Sequence, residues 1–397
     1  MSGNGGRTRR ELLADAAKGA AAASLAGLAG CFPSVGGRWP SNSCSTSDAD
    51  VTGDAGRFPA VTPAVVDVLR QESVLVTGGK FVAQPDVVAS MLDAGLVALA
   101  RQAMMFNAGI SAPDGDAGAY DSGEFDGGID NPWSVLLPKY QSGQRIGLKV
   151  NCLGGNTATS AALVHAIIVS LRDNLGVNPA KEIIVWDRGL DELRKNNMAN
   201  YSSDTLAGAT LLGTKFVTLP AVQDTPGEPD YGDPVCEAPT GTSGDLPRLS
   251  RIFTHMTDLT INCPILKSHS TSGITAAMKN IYGIINNPGQ FHNNLVTALP
   301  KLYAVPAIRG SISFTIVDAL IAAITRDTMN SADAAPRRIL LGLDPVALDS
   351  YALTLINQLR AAMIGRDNPI KPAGITDWIA EAARIGLGST NYSLIQV

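Results

Sequence analysis

The segment from Lys267 to Asn280 carries the densest group of chemically active side chains in the sequence. Lys267 and His269 precede a run of hydroxyl residues, and Lys279 follows it. We predict a helix that begins near Thr271, whose free N–H groups would combine with the hydroxyls and lysines. Such a cradle would bind a phosphate or a carboxylate. The segment therefore indicates a site for a small anionic ligand, either a substrate or a cofactor.

His269 and His292 are two of only four histidines and lie on either side of the predicted helix, residues 271–285. Three roles stay open for them: a general acid and base, ligands of one metal ion, or structural histidines. Asp187 and Asp318 are the carboxylates that would complete a metal site with the two rings. In the acid–base alternative, a carboxylate would orient the imidazoles instead.

The elements that must position these residues follow a regular alternation. Short apolar runs predict strands at 145–150, 182–186, 215–219, 259–263, 311–317 and 339–343. Helical spacing of apolar residues predicts helices at 85–105, 159–175, 191–198, 271–285 and 345–360. The alternation predicts an α/β domain with a mostly parallel sheet flanked by helices, interrupted by long loop insertions such as 224–247.

Polar residues follow five of the predicted strands. In an open parallel sheet, ligands bind at the carboxyl ends of the strands, so we expect these residues to meet at one edge. The strand-end candidates are Lys149, Asn151, Asp187, Lys267, His269, Asp318 and Asp344. Lys267, His269, Lys279 and His292 are the candidates for catalysis, and Thr271 and Thr275 are further candidates for ligand binding.

The first thirty residues have the features of an export signal. Arg9 and Arg10 precede a moderately apolar segment that ends in Leu-Ala-Gly before Cys31. This pattern predicts a twin-arginine signal over residues 1–30, a lipidated Cys31 and a flexible tether over 31–60. The twin-arginine translocase and the membrane would then be partners of an exported, lipid-anchored protein. The alternative is an amphipathic N-terminal helix with a core cysteine.

Residues 61–397 would form one α/β domain, with 200–255 as a candidate sub-lobe. Of the 397 residues 45% are hydrophobic and 17% charged, which excludes a disordered chain. A net charge of -5 argues against nucleic acid as a partner. No GxSxG, Walker, HExxH or strand-linked GxGxxG motif is present, so serine hydrolases, P-loop NTPases, zincins and dinucleotide-binding domains lose support.

The five cysteines include no CxxC pair, which argues against a zinc or iron–sulfur site built from this chain. With Cys31 lipidated, four cysteines remain for an oxidising compartment, and their pairing is open. These four are Cys44, Cys152, Cys236 and Cys263.

Several segments together resemble one protein family. They are Ile261–His269 continuing through Gly273–Gly283 to His292, Gly147–Asn151, Ile184–Arg188 and Leu343–Asp349. Their Lys-x-His and Lys-Asn-x-x-Gly arrangement is similar to the hallmark of the family called domain of unknown function 362, over residues 85–388. The resemblance adds Asn280 and Gly283 to the binding candidates and implies an α/β fold. The exported branch of that family commonly begins with a twin-arginine signal.

The resemblance implies no reaction, because the family has no settled activity. Some relatives carry an appended ferredoxin-like cysteine cluster, and this chain has none. Two functional hypotheses follow. The first is an exported enzyme that acts on a small anionic substrate with lysine and histidine acid–base groups, its cofactor unknown. The second is a surface lipoprotein that binds a metal or a small ligand without turnover.

Overall fold

A computed structural model describes eight ranges of the chain. They are residues 62–107, 129–153, 157–195, 205–214, 230–325, 331–366, 368–370 and 376–397. The predicted signal, Cys31, the tether and the predicted strand at 215–219 lie outside these ranges.

The described strands form one large sheet and two small ones. The strands are β1 (Ala64–Leu69), β2 (Val74–Thr77), β3 (Lys80–Ala83), β4 (Ile146–Val150), β5 (Ile183–Asp187), β6 (Thr205–Leu206), β7 (Ala209–Gly213), β8 (Tyr231–Pro234), β9 (Arg248–Ser250), β10 (Leu259–Cys263), β11 (Ile265–His269), β12 (Gly273–Thr275), β13 (Ile312–Ala323), β14 (Arg338–Gly342) and β15 (Ser393–Gln396). The main sheet has the order β15-β1-β14-β13-β10-β4-β5-β7-β6, and β11 and β12 extend from β13.

The centre of this sheet is parallel. Strands β13, β10, β4, β5 and β7 run in the same direction, and β15 runs parallel to β1. Strand β14 is antiparallel to both β1 and β13. The fold is therefore an α/β architecture with a mostly parallel, mixed sheet, as the alternation of strands and helices predicted.

Helices cover both faces of the sheet. They are α1 (Pro85–Asn107), α2 (Pro132–Leu136), α3 (Ala161–Leu175), α4 (Pro179–Glu182), α5 (Leu190–Lys195), α6 (Leu295–Ala304), α7 (Pro306–Ser311), α8 (Pro345–Ile364) and α9 (Asp377–Arg384). Two buried apolar clusters result, one containing residues of α1 and α3 and the other containing residues of α6, α8 and α9. Helix α1 is long and apolar enough to cross a membrane, but it packs against β1, β14, α2 and α3.

The predicted helix over 271–285 is wrong. The chain instead forms a hairpin, with β11 antiparallel to β12, followed by a 3-10 helix at Met278–Gly283. The apolar side chains of this segment are buried from several directions, so their spacing imitated a helix without a helical backbone. The cradle predicted at a helix N-terminus near Thr271 is therefore absent from the hairpin.

The prediction that all five strand ends meet at one edge is also wrong. Gly342 of β14 pairs with Thr315 near the start of β13, and the two strands run antiparallel. Asp344, just beyond β14, therefore lies near the amino ends of the parallel strands. It caps α8 by accepting from the N–H groups of Val346 and Ala347 at 2.8 and 2.9 Å.

Candidate functional site

Asn280 is the centre of a buried polar network at the carboxyl ends of β4 and β10. Its amide oxygen accepts from Lys149 Nζ at 3.5 Å and from Asn151 Nδ2 at 3.3 Å. Its amide nitrogen donates to the Lys149 carbonyl oxygen at 3.2 Å and to Asn262 Oδ1 at 2.8 Å. All four hydrogen-bonding positions of the amide are filled, so the side chain is held in one orientation.

Lys149 and Asp187 form a buried ion pair at the ends of neighbouring parallel strands. Lys149 Nζ lies 2.7 Å from Asp187 Oδ1, and the side chains are 1% and 5% exposed. Lys149 also donates to the Val150 carbonyl oxygen at 2.6 Å. Together with Asn280 Oδ1, the three N–H donors of Lys149 have three oxygen acceptors.

Gly283 packs directly against this ion pair. A Cβ atom at this position would lie 2.6 Å from Lys149 Nζ and 3.0 Å from Asp187 Oδ1. Any larger residue would therefore have to displace the pair. The sequence singled out Gly283 through its family motif, and the structure supplies the steric reason for a glycine there.

Lys267 holds the loop that follows β4 in place through hydrogen bonds. Its Nζ donates to Asn151 Oδ1 at 3.1 Å, to the Thr157 carbonyl oxygen at 3.2 Å and to the Leu153 carbonyl oxygen. Three oxygens thus surround the three donors of a buried ammonium. We call Lys149, Asn151, Asp187, Lys267 and Asn280 the polar floor.

Lys279 has different surroundings. Its Nζ lies 3.3 Å from His292 Nε2 and 3.8 Å from the centroid of the Tyr282 ring, and the residue is only 6% exposed. Within the described ranges, no carboxylate forms an ion pair with it. Burial and the nearby charge of Lys267 lower the pKa of Lys279 to about 7. The amine of Lys279 therefore loses its proton at a much lower pH than the amine of an exposed lysine.

The His292 ring is oriented by the backbone. Its Nδ1 lies 2.9 Å from the Pro288 carbonyl oxygen, which can only accept, so we place the proton of the neutral ring on Nδ1. The lone pair of Nε2 then faces Lys279. Burial and the charge of Lys279 lower the pKa of His292, which favours this neutral form.

His269 stacks on His292 at the more exposed side of the site. The ring centroids lie 5.7 Å apart with an interplanar angle of 16°. His269 Nδ1 accepts from the Thr271 N–H at 3.1 Å, so the exposed hairpin turn orients this ring. We call Lys279, Tyr282, His269 and His292 the amine corner. The structure thus brings together the histidines that the sequence placed on either side of a helix.

Asp349 supports the segment that carries Lys279 and Asn280, and it was not predicted from the sequence. From α8, its Oδ1 accepts from the Ala277 N–H at 2.7 Å and its Oδ2 from the Met278 N–H at 2.9 Å. Burial raises the pKa of Asp349 to about 7. Its position at the end of the family-like segment Leu343–Asp349 is the available sequence signal, although the strand-end pattern pointed only to Asp344.

Glu192 was also missed. It lies on α5, and burial and repulsion by Asp187 raise its pKa to about 7. A carboxyl group that titrates near neutrality thus borders the ion pair of the polar floor. Thr275, by contrast, was predicted to bind ligand; it is buried in β12 opposite Lys267.

The candidate metal ligands are not gathered into one group. Asp187 is held by Lys149, and Asp318 accepts from the N–H groups of Ser160 at 2.7 Å and Leu320 at 3.0 Å. In the part of the chain that the structure describes, no three His, Cys, Asp or Glu side chains could hold a metal ion together. A metal shared by the two histidines and these aspartates stays a prediction from the sequence.

The cysteines divide into two kinds. Cys236 is disulfide-bonded, whereas Cys152 and Cys263 are buried thiols. Burial raises the pKa of both thiols, so neither is a thiolate at neutral pH. Cys44, the other candidate for a disulfide, lies outside the described ranges.

Comparisons with known proteins identify a family but no activity. No curated protein matches this chain. A crystal structure of a protein from Thermotoga maritima is similar at 13% sequence identity with a TM-score of 0.34, and the match covers 57% of this chain and 57% of that protein. The family model described as Domain of unknown function (DUF362) matches residues 146–354, more than half of the chain. The matched range contains the polar floor and the amine corner, and the chain belongs to this family of unknown function.

Proposed function

We propose that the domain is an enzyme that binds a small anionic molecule beside Lys279 and transfers a proton with the Lys279–His292 pair. One observation carries this proposal: a buried lysine faces an oriented imidazole without a carboxylate partner among the described residues. A buried ammonium is costly unless it is paired. A carboxylate or phosphate of the ligand would supply the missing counter-ion.

The polar floor supports this function without contacting the ligand through its lysines. The ammonium groups of Lys149 and Lys267 each have three oxygen acceptors. Their role is to hold Asn280 and the loop after β4 in place, so that the amine corner is preorganised. His269, stacked on His292, would exchange protons between the pair and solvent.

A thermal-shift experiment tests the binding step. The full chain is titrated with acetate, malonate and inorganic phosphate at pH 6.5, where Lys279 is mostly protonated. A ligand that binds only the native state raises the melting temperature in proportion to the logarithm of its concentration. We expect at least one anion to do so, and Lys279→Met to abolish the shift.

The matched control is Lys301→Met, which removes an exposed lysine of α6. This variant should keep the full anion-dependent shift, because Lys301 lies outside the amine corner. An equal shift in the Lys279 variant, or no shift with any of the three anions, would overturn the proposal. A ligand that binds without chemical change would instead support the non-catalytic alternative.

We further propose that residues 1–30 direct export through the twin-arginine translocase and that Cys31 carries the lipid anchor. The paired arginines and the Leu-Ala-Gly-Cys sequence support this proposal. Replacing Arg9 and Arg10 by lysine should block export, and Cys31→Ser should abolish incorporation of a labelled fatty acid. A Cys31→Ser protein that still incorporates the label would contradict the anchor.

A further inference from the structure

We propose that Lys279 is a nucleophile that forms a Schiff base with a small carbonyl compound bearing a carboxylate, with His292 as its base. The inference rests on the proposed function, because the carboxylate of this compound would be the anion bound beside Lys279. It goes further by naming the bond that forms and the class of substrate.

The contrast among three buried lysines points to Lys279. The Lys149 and Lys267 ammonium groups each donate to three oxygen acceptors. The Lys279 amine instead faces an imidazole nitrogen at 3.3 Å and the face of the Tyr282 ring at 3.8 Å. The ring face attracts a cation only weakly compared with a carboxylate. Lys279 is thus the described buried lysine best placed to lose its proton and act as a nucleophile.

The arrangement around Lys279 also has the geometry of an activated nucleophile. Such a group lies within hydrogen-bonding distance of a base, and a third group orients the base. Lys279 Nζ is 3.3 Å from His292 Nε2, and the Pro288 carbonyl oxygen holds His292 Nδ1 at 2.9 Å. The Nε2 lone pair is therefore directed at the proton that must leave the ammonium.

The proposed step balances without a further reactant. His292 Nε2 accepts a proton from the Lys279 ammonium, and the freed amine attacks the carbonyl carbon. A C–N bond forms as the carbonyl π bond opens, and a proton moves from the attacking nitrogen to the carbonyl oxygen to give a neutral carbinolamine. The imidazolium then protonates the hydroxyl group, which leaves as water while the C=N bond forms. The products are a protonated Schiff base and one water molecule, and His292 returns to its neutral form.

The charge of the product matches an anionic substrate. A protonated Schiff base keeps the single positive charge of the lysine, so the substrate carboxylate remains its counter-ion throughout the step. A neutral carbonyl compound would leave that charge buried and unpaired. This reasoning favours aldehydes and ketones with an adjacent carboxylate, such as 2-oxo acids.

Reductive trapping tests the proposal on the full chain. The protein is incubated with glyoxylate or pyruvate, reduced with borohydride and digested, and the modified lysines are identified by mass spectrometry. We expect Lys279 to be the most strongly modified lysine, and exposed Lys301 to be modified far less. His292→Phe should slow trapping at Lys279 by about 10²-fold, the lower end of the range for a lost general base.

Two variants separate this inference from the proposed function. Lys279→Arg keeps a positive charge but cannot form an imine, so it should retain anion-dependent stabilisation and lose the adduct. Lys279→Met should lose both. If Lys279 gains no more adduct than Lys301 with either compound, the Schiff base is excluded. If the anion-dependent shift still needs Lys279 in that case, the binding proposal stands. An adduct at Lys279 without any anion-dependent shift would leave the imine standing but overturn both the binding proposal and the preference for a substrate with a carboxylate.

Discussion

The polar floor and the amine corner meet in the 3-10 helix at Met278–Gly283, and each contains buried lysine, yet their chemistry differs. In the floor, each lysine ammonium has three oxygen acceptors, and the central amide uses all of its hydrogen-bonding positions. In the corner, the only hydrogen-bond partner of the Lys279 ammonium among the described residues is the His292 imidazole, and the ammonium lies over the Tyr282 ring. A satisfied network stabilises one geometry, whereas an unpaired amine remains reactive.

Because of this difference, we expect mutations in the polar floor to reduce stability and mutations in the amine corner to reduce function. Removing part of the floor leaves a buried charge or donor unpaired and should cost stability. Removing the amine of the corner relieves an existing electrostatic penalty and should cost function instead. Such a division is common where a protein accepts a local energetic cost at a functional site.

Lys149→Met should produce the largest loss of stability. It leaves Asp187 buried without its cation, so we expect the free energy of unfolding to fall by about 3–5 kcal/mol. Urea unfolding followed by circular dichroism measures this change. The double variant Lys149→Met with Asp187→Asn should recover part of the loss, because both charges are then removed. A loss below about 1 kcal/mol would show that the pair is not the core of the floor.

Gly283→Ala should have the next largest effect. The added Cβ would lie 2.6 Å from Lys149 Nζ, so the ion pair has to shift, at a cost of about 2–3 kcal/mol. Gly289→Ala, in a second 3-10 helix at Pro288–Phe291, is the matched control because a Cβ there meets nothing within 4 Å. Equal melting temperatures for the two variants would refute the close approach.

Lys279→Met should show a smaller effect that depends on pH. The pKa of Lys279 is about 7 in the folded state and 10.5 in an ordinary exposed lysine, so the unfolded state binds more protons between these values. The wild-type protein therefore gains stability as the pH rises through this window, and the variant lacks that gain. Relative to wild type, the variant should lose roughly 2 kcal/mol between pH 7 and pH 9.

Urea unfolding at pH 7, 8 and 9 measures this difference, and Lys301→Met is the control that should follow the wild-type pH dependence. If the difference between the Lys279 variant and wild type does not change with pH, Lys279 is not an unpaired buried amine. The proposed difference between the lysines of the polar floor and Lys279 of the amine corner would then be refuted.

Asp349→Asn should have the smallest effect on stability. An amide offers one acceptor where the carboxylate has two, so one hydrogen bond to the Ala277–Met278 backbone is lost at about 1 kcal/mol. Because this backbone leads directly into Lys279 and Asn280, the anion-dependent thermal shift should weaken as well. An unchanged shift would show that Asp349 stabilises the fold without positioning the amine corner.

Much of the fold follows from local sequence patterns. The apolar runs that end at Val150, Trp186 and Cys263 are strands, and residues 85–105 are helical as predicted. Fully buried parallel strands are short continuous apolar runs, so they stand out between amphipathic helices. The helix prediction for residues 271–285 was wrong because this segment is buried on several sides. The spacing of its apolar residues therefore does not distinguish a helix from a hairpin.

The candidate site was predicted only in part. Its residue types and its family-like motifs were visible along the chain, including Lys149, Asp187, Lys279 and His292. Asp344 was placed at the wrong edge because strand direction depends on which strands pair, and pairing is a long-range property. Asp349 was missed because its hydrogen-bond partners lie 71 or more residues away in the sequence. Glu192 was missed because its pKa depends on burial and on Asp187, which lies in another element.

The sequence by itself determined the α/β class, the chemical groups available and the family to which the matched range belongs, because these depend on residue identity and local spacing. Only the tertiary structure decided which lysines are satisfied and which one is not. Hydrogen-bond saturation depends on atoms that come from β4, β5, β11 and the 3-10 helix at Met278–Gly283, and no local pattern records their convergence. That distinction turns three similar lysines into two that position the site and one that we propose to react.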